Sequence, residues 1–526
     1  MINHILFFTL TMELKVSKFN NKSQSINKAV KSHEGGIVYQ ATPYQELCDR
    51  VLTSFYGEDK FYESAQKSND KLIKLIHQVG KQDPIFVLKL AILAREQFYL
   101  RTISQVIISE ISKIYKGDSR TKQTIARIIQ RPDDMTEILS YIINSNAQIE
   151  QTLTGQTRHK NKKIPNSIKK GIAIAIHKFD EYQLSKYNSS KKEVKLKDVF
   201  NLTHPKPANA KQAKLWESLI TGTIKQAETW ERKISASGKE ENAEEAKKEA
   251  WENLIKNNKL GYMATLRNIN NFLKAGLSNE LHIKVQKFIS NEKAVLNSKQ
   301  LPFRFYSAYK MISENKDFDP FTIKHYKKAL EQAMHISVKN IKSFKGRTMV
   351  VVDTSGSMES FISQRSTMTM LEIGCVLGSV VNEMADDAII AAFATDFKLV
   401  DINKGNILKS ANKIRNTSTG YATNVHLIFE WLNKNNIKID NLIILSDMEV
   451  MRGISNDEQR YRHNINNDLI IYEWNLNSYG HNLTNTTDPK HIKMTGWNDS
   501  MIKFITEFND IRLGIIDMVN KVNLNG

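Results

Sequence analysis

The stretch "VVVDTSGSME", Val350 to Glu359, carries an apolar run into an aspartate and then into two serines at two-residue spacing. The run has the β-branched character of a strand. Asp353, Ser355 and Ser357 then offer one carboxylate and two hydroxyls, which is either an ordinary polar turn or half of a site for a hard cation. Working outward, hydrophobic strands and helices alternate: "TMVVVD" (348–353), a helix around "TMLEIGCVLGSVVNEMA" (369–385), "AIIAAFAT" (388–395), a short "FKLVD" (397–401), a helix around "NVHLIFEWLNKN" (424–435), "NLIILSD" (441–447), "DLIIYEWN" (468–475) and a final helix from about Asp499. Continuous Val/Ile/Leu runs divided by helices predict an open α/β domain with a doubly wound parallel sheet covered on both faces.

In such sheets ligands bind at the carboxyl ends of the strands. Asp353 and Asp447 both stand at strand ends, and the intervening loop "NTSTGYATN" (416–424) carries Thr417, Thr419 and Thr423. Two carboxylates, two serine hydroxyls and a loop threonine form an all-oxygen set that suits a divalent cation, with Mg²⁺ the first choice. No nucleophile and base of recognisable signature accompany these loops, so a binding module is expected here rather than an enzyme.

Upstream the pattern is helical from about Tyr44 to Ala333. In "IFVLKLAILAREQFYL" (85–100) the preceding Asp83 and Pro84 supply a cap and a first helical residue. Segments such as "DDMTEILSYIINS", "AKLWESLITGTIKQAETWERKI" and "NELHIKVQKFI" repeat the helical pattern between short Gly, Asn or Pro breaks. Helices that cannot each bury a face alone predict a stacked, solenoid-like array. Residues 1 to 32 are polar and lack a sustained period, and a mobile tail is expected there.

The chain has 526 residues, enough for more than one domain, and its balance of 25% charged and 41% apolar residues is that of a folded protein. Its two cysteines, Cys48 and Cys375, lack metal or redox spacing and indicate a reducing compartment. No apolar run approaches the ~18 residues of a membrane span. A cytoplasmic protein without a membrane partner is expected.

The net charge of +19 is unevenly distributed. Residues 341 to 526 hold 19 basic and 21 acidic side chains, whereas residues 1 to 340 hold 56 and 35. Between Arg158 and Lys214 alone there are 15 basic and 4 acidic residues. Such concentration points to a polyanion, nucleic acid before membrane. Lys169 and Lys170 open a helix after Pro165 in which Ile172, Ile176 and Phe179 would face inward, leaving the lysines to meet phosphates.

"DTSGSM", the loop threonines and "LSDME" together resemble the metal-ion-dependent adhesion site of von Willebrand factor A domains, over roughly Gly346 to Gly526. The resemblance implies that Asp353, Ser355, Ser357, Thr423 and Asp447 surround the cation, directly or through water. Where close relatives show two glycines before the threonine, this chain has Gly420, Tyr421 and Ala422, so Thr419 stays open as the alternative to Thr423.

"HEGGIVY" (33–39), "SKYN" to "HPKP" (185–207), "LRNINNFLKAG" (266–276) and "LPFRFYSAY" (301–309), in this order and followed by an A-type domain, resemble the TROVE module of the Ro ribonucleoprotein autoantigen family. The resemblance implies an α-helical, HEAT-like repeat ring over residues 33 to 345, closed within one chain by the A-type domain of residues 346 to 526. It also implies partners: small noncoding Y-like RNAs, single-stranded ends of misfolded RNAs, and a protein such as an exoribonuclease recruited through the A-type domain. Lys186, His204 and Lys206 match positions associated with RNA contact, Lys191 and Lys192 stand near another, and Lys169 and Lys170 join them on charge. The alternative is a metal-dependent protein-interaction scaffold with no dedicated RNA ligand.

Overall fold

The structure is a computed structural model that describes residues 28–53, 56, 64–154, 163–314, 317–341, 343–362, 366–477, 479–484, 488, 490–496 and 514–525. Helices dominate up to residue 338, and a sheet with its covering helices follows.

The sheet has six strands, β3 (Phe344–Asp353), β4 (Ala385–Phe393), β5 (Phe397–Leu399), β6 (Asn441–Ser446), β7 (Ile470–Asn475) and β9 (His491–Thr495), in the order β5-β4-β3-β6-β7-β9. All neighbours are parallel except β4 and β5. Val352 pairs with Leu445, so β3 and β6 end side by side. Alternate residues serve two cores: Val350 and Val352 face the one shared with the helix Met370–Met384, whereas Met349 and Val351 face the one shared with Leu427–Asn435. Burial on both faces explains the uninterrupted apolar runs of these strands.

Sequence periodicity does not reveal a second sheet of three short antiparallel strands, β1 (Ala29–Lys31), β2 (Ile37–Gln40) and β8 (His481–Asn482). Of the tail expected at residues 1 to 32, residues 1–27 lie outside the described residues, and Ala29–Lys31 form a strand. Gly36 closes this sheet onto the A-type domain: its N–H donates to Val450 O at 3.0 Å, and a Cβ there would lie 2.1 Å from the same oxygen. The final helix expected from Asp499 falls largely outside the described residues, and Ile515–Lys521 is helical.

In the array, Asp83 caps Pro84–Glu96 by accepting from Phe86 N at 2.9 Å, and most of that helix is buried. The long "AKLWESLITGTIKQAETWERKI" segment is two helices, Ala210–Thr221 and Trp230–Ser237, because Gly222 takes φ +79° and ends the first. Gly171 lets the helix Asn166–Ala175 approach Ser119–Ile128 closely, since a Cβ would fall 2.5 Å from Ile125 Cβ.

Both ends of the array meet the A-type domain. At the start, Lys89 and Arg127 donate to the carbonyls of Asn520 and Asn523. At the far end, Lys310 in Pro302–Ser313 pairs with the buried Glu372, which also holds Arg415 at 2.8 Å. One apolar core runs continuously from Leu47 through the array into the sheet. The chain therefore closes on itself. No helix among the described residues is long and apolar enough to cross a membrane.

Candidate functional site

Asp353 ends β3 and Asp447 directly follows β6, so the pairing of these strands brings two carboxylates to one edge of the sheet. Both are fully buried, and Ser355, Ser357, Thr419 and Thr423 are buried beside them. Asp353 Oδ1 accepts from Ser355 N at 2.9 Å and Oδ2 accepts from Ser446 Oγ at 2.6 Å. Ser355 Oγ and Ser357 Oγ lie 3.3 Å apart. Asp447 Oδ1 accepts from Glu449 N at 3.2 Å.

Two buried atoms of this cluster have no hydrogen-bond partner among the described residues: Asp447 Oδ2 and Thr423 Oγ1. Thr419 differs, because its hydroxyl is engaged with Thr354 Oγ1. The threonine left with an open oxygen is therefore Thr423. The departure at Tyr421 and Ala422 does not remove it: Gly420 at φ +88° packs against Thr395, whose Oγ1 accepts from both Tyr421 N and Ala422 N at 3.2 Å. Tyr421 itself projects outward, 85% exposed.

Burial raises the Asp353 carboxyl to about 6, against weaker lowering by its serine partners. Burial, then Asp353, then Glu449 push Asp447 well above the usual carboxylate range. Two buried carboxylates that disfavour each other's charge, beside unmet oxygens, fit a hard cation of the Mg²⁺ type.

Sequence reasoning overlooked a neighbouring cluster. Glu449 is fully buried and accepts from His33 N and His481 Nδ1, both at 2.6 Å, and it meets His33 Nδ1 at 2.9 Å. It ties the "HEGG" segment to the A-type domain. The Glu in "LSDME" beside the His of "HEGG" was the signal available, but nothing in the sequence joins residues 33 and 449.

The basic segment is split in its surroundings. Lys170, Lys191, His204 and Lys206 are exposed and Lys169 is half-buried. Lys186 meets Glu231 at 3.2 Å, and Lys192 is held by Glu137. His204 takes φ +47° as the left-handed cap of Leu196–Thr203, which turns the chain into "HPKP". Gln212 Oε1 accepts from His177 Nδ1 at 3.0 Å and Ala208 N at 2.8 Å, which places the His204–Asn209 loop beside the end of the lysine-bearing helix. Arg267 and Arg304, which lie in the segments "LRNINNFLKAG" and "LPFRFYSAY", are both exposed, and no ion pair joins them to the described residues.

Comparison with known proteins agrees with this layout. The chain is 24% identical over 342 residues to telomerase protein component 1 of Mus musculus, covering 51% of this chain and 12% of that protein. The Rattus norvegicus protein is likewise 24% identical, again over 12% of its length. The chain thus spans only a small part of these curated relatives. In fold it is similar to the crystal structure of the Deinococcus radiodurans Ro (RSR) protein, with a TM-score of 0.60 at 14% identity, covering 90% of this chain and all of that one. Residues 52–223 and 213–319 match the TROVE domain and residues 347–509 match the Ro60 vWA domain. The chain belongs to the TROVE family, in its Ro form of a helical TROVE domain joined to a vWA domain.

Proposed function

We propose that this protein is the RNA-binding component of a ribonucleoprotein, in which the helical array holds small noncoding Y-like RNAs and the single-stranded ends of structured or misfolded RNAs for quality control or processing. The observation that carries this reading is the group of exposed bases Lys170, Lys191, His204 and Lys206 on adjoining elements of a TROVE domain. Lysines facing solvent bind phosphates as point charges and supply most of the affinity, while an exposed imidazole can stack on or hydrogen-bond an unpaired base. Two buried, unbridged cysteines accord with the cytoplasm, and contacts from both ends of the array to one A-type domain accord with a single-chain ring.

In the A-type domain Asp353, Ser355, Ser357, Thr423 and Asp447 would hold Mg²⁺, which would neutralise the carboxylate pair and offer a coordination position to a partner's carboxylate. The part is one of docking, not hydrolysis. The exposed Tyr421 beside that loop favours a protein partner there, such as an exoribonuclease.

The deciding experiment measures affinity for a structured RNA with a single-stranded end at increasing salt. Affinity should fall steeply, and a combined Lys170→Ala, Lys191→Ala, Lys206→Ala variant should bind at least roughly tenfold more weakly with a shallower salt slope. RNA binding that is absent, or insensitive to both salt and the substitutions, overturns the reading.

A further inference from the structure

The helices Asn279–Ile289 and Pro320–Val338 pack against each other in the far part of the array and leave a groove of about 450 Å³ between them. Its rim carries an exposed aromatic ring: Phe321 is 70% exposed, one helical turn from His325, whose ring centroid lies 4.3 Å away. A single exposed ring is ordinary on a protein surface, but this one stands with His325 on the lining of the groove. His325 Nδ1 lies 2.8 Å from Phe321 O, and a carbonyl only accepts, so Nδ1 carries the proton. Its Nε2 then remains to accept a hydrogen bond.

The rest of the lining suits one kind of guest. Lys287 and Lys328 are exposed on opposite walls, and among the described residues no carboxylate lines the groove. The nearby Asp319 is engaged as the cap of its helix, accepting from Thr322 N at 2.7 Å. Gln286 and Gln332 place amide groups, donor and acceptor together, along the walls. The floor is closed by His282, buried against Tyr326 with Nδ1 2.9 Å from the phenol oxygen. A flat π-surface, two exposed cations on the walls and amide groups are the kinds of group that recognition of an unpaired nucleotide uses.

We infer that this groove binds an unpaired nucleotide of single-stranded RNA, its base stacked on Phe321 and His325 and its flanking phosphates met by Lys287 and Lys328. This site lies on helices other than those of the basic segment and rests on the RNA-binding reading above. It would add a second station for a base to the one that His204 offers in that segment.

The test uses the full chain and two fluorescent probes, an eight-nucleotide oligouridylate and an abasic strand of equal length. The oligouridylate should bind more tightly than the abasic strand. Phe321→Ala should weaken it roughly tenfold, the loss expected for one stacked base. Phe321→Trp should preserve its affinity, and Phe321→Leu should behave like Ala, because apolar bulk without a π-face does not stack. A 4-thiouridine version of the strand should crosslink to the peptide containing Phe321 and His325. Equal affinity for abasic and base-bearing strands, or affinity and crosslink unchanged by Phe321→Ala, overturns the groove assignment. If a structured RNA still binds through the basic segment in that case, the proposed function survives. Loss of all RNA binding in the unmodified protein overturns both. Because Phe321 is exposed, an unchanged melting temperature in Phe321→Ala is expected, which assigns the affinity loss to the groove.

Discussion

Ser446 Oγ donates a 2.6 Å hydrogen bond to Asp353 Oδ2 across the junction of strands β6 and β3. The bond occupies one oxygen of the first carboxylate, while Asp447 Oδ2, at the residue after Ser446, has no such donor among the described residues. Asp353 is thus met at both oxygens, whereas Asp447 is held at Oδ1 by Glu449 N and keeps Oδ2 unmet.

From this asymmetry, Mg²⁺ should stabilise the protein and the effect should depend on Asp447 and Thr423. Ligand at about 100 times its dissociation constant adds about 2.7 kcal/mol. Asp447→Asn should raise the melting temperature of the metal-free protein, by removing a repelled charge, and abolish the Mg²⁺ increment. Thr423→Ala should weaken the increment, whereas Thr419→Ala should retain it. Thermal melts with EDTA and with added Mg²⁺ check all three; a Mg²⁺ increment preserved in Asp447→Asn refutes the ligand set.

Glu231 restrains Lys186, the two groups lying 3.2 Å apart with both side chains partly exposed. Exposed pairs of this kind contribute about 0–1 kcal/mol. Glu231→Gln should therefore leave stability nearly unchanged and strengthen RNA binding by about two- to threefold, by releasing a cation to phosphate. Lys186→Ala should weaken binding, and the two changes combined should resemble Lys186→Ala alone. Anisotropy titrations of the four proteins complete the cycle.

Gly36 admits no side chain. With Val450 O only 2.1 Å from where a Cβ would stand, Gly36→Ala must displace the docked strand pair β1 and β2. Overpacking of this type costs about 1–3 kcal/mol. Limited trypsin digestion should then cut faster at Lys31, the end of the displaced strand, than it does in the unmodified protein, while RNA affinity stays constant. Equal digestion of both proteins would contradict the docking.

Glu473 governs a pH response in the sheet. Burial favours its neutral form, but Lys493 and His491 outweigh burial and hold the carboxyl at about 2, below its usual 4.5. A depressed folded pKa stabilises the protein above the unfolded value, and that contribution is lost as pH falls from 4.5 towards 2. The difference corresponds to about 3 kcal/mol. Urea denaturation should show stability falling across this window, with a smaller fall in Glu473→Gln, which has no carboxyl to titrate.

The first five strands after Lys345 were legible in the sequence because strands buried on both faces must be apolar throughout, as Val350 to Val352 and Leu442 to Leu445 are, whereas the polar helices Ile407–Arg415 and Ser455–Asn464 and the short edge strand β9 carried no such run. The helical character of the preceding part was legible for a similar reason, and Asp83 with Pro84 marked a helix start through local chemistry. Asp353, Ser355 and Ser357 could be paired with Asp447 because both groups stand at strand ends. The charge cluster from Arg158 to Lys214 needed only counting.

Tertiary structure decided the rest, because each remaining question concerned which distant groups meet. It separated Thr423 from Thr419 by giving Thr419 a hydroxyl partner in Thr354. It divided the lysines into those held by Glu231 and Glu137 and those facing water, a distinction invisible in composition. It joined His33 to Glu449 and gave the second glycine of "HEGG" its reason. It also left Phe321 open where helical periodicity alone assigns no function. Local sequence fixes periodicity and caps through neighbours a few residues apart, whereas burial, unmet hydrogen bonds and charge pairing arise only when segments hundreds of residues apart are packed together.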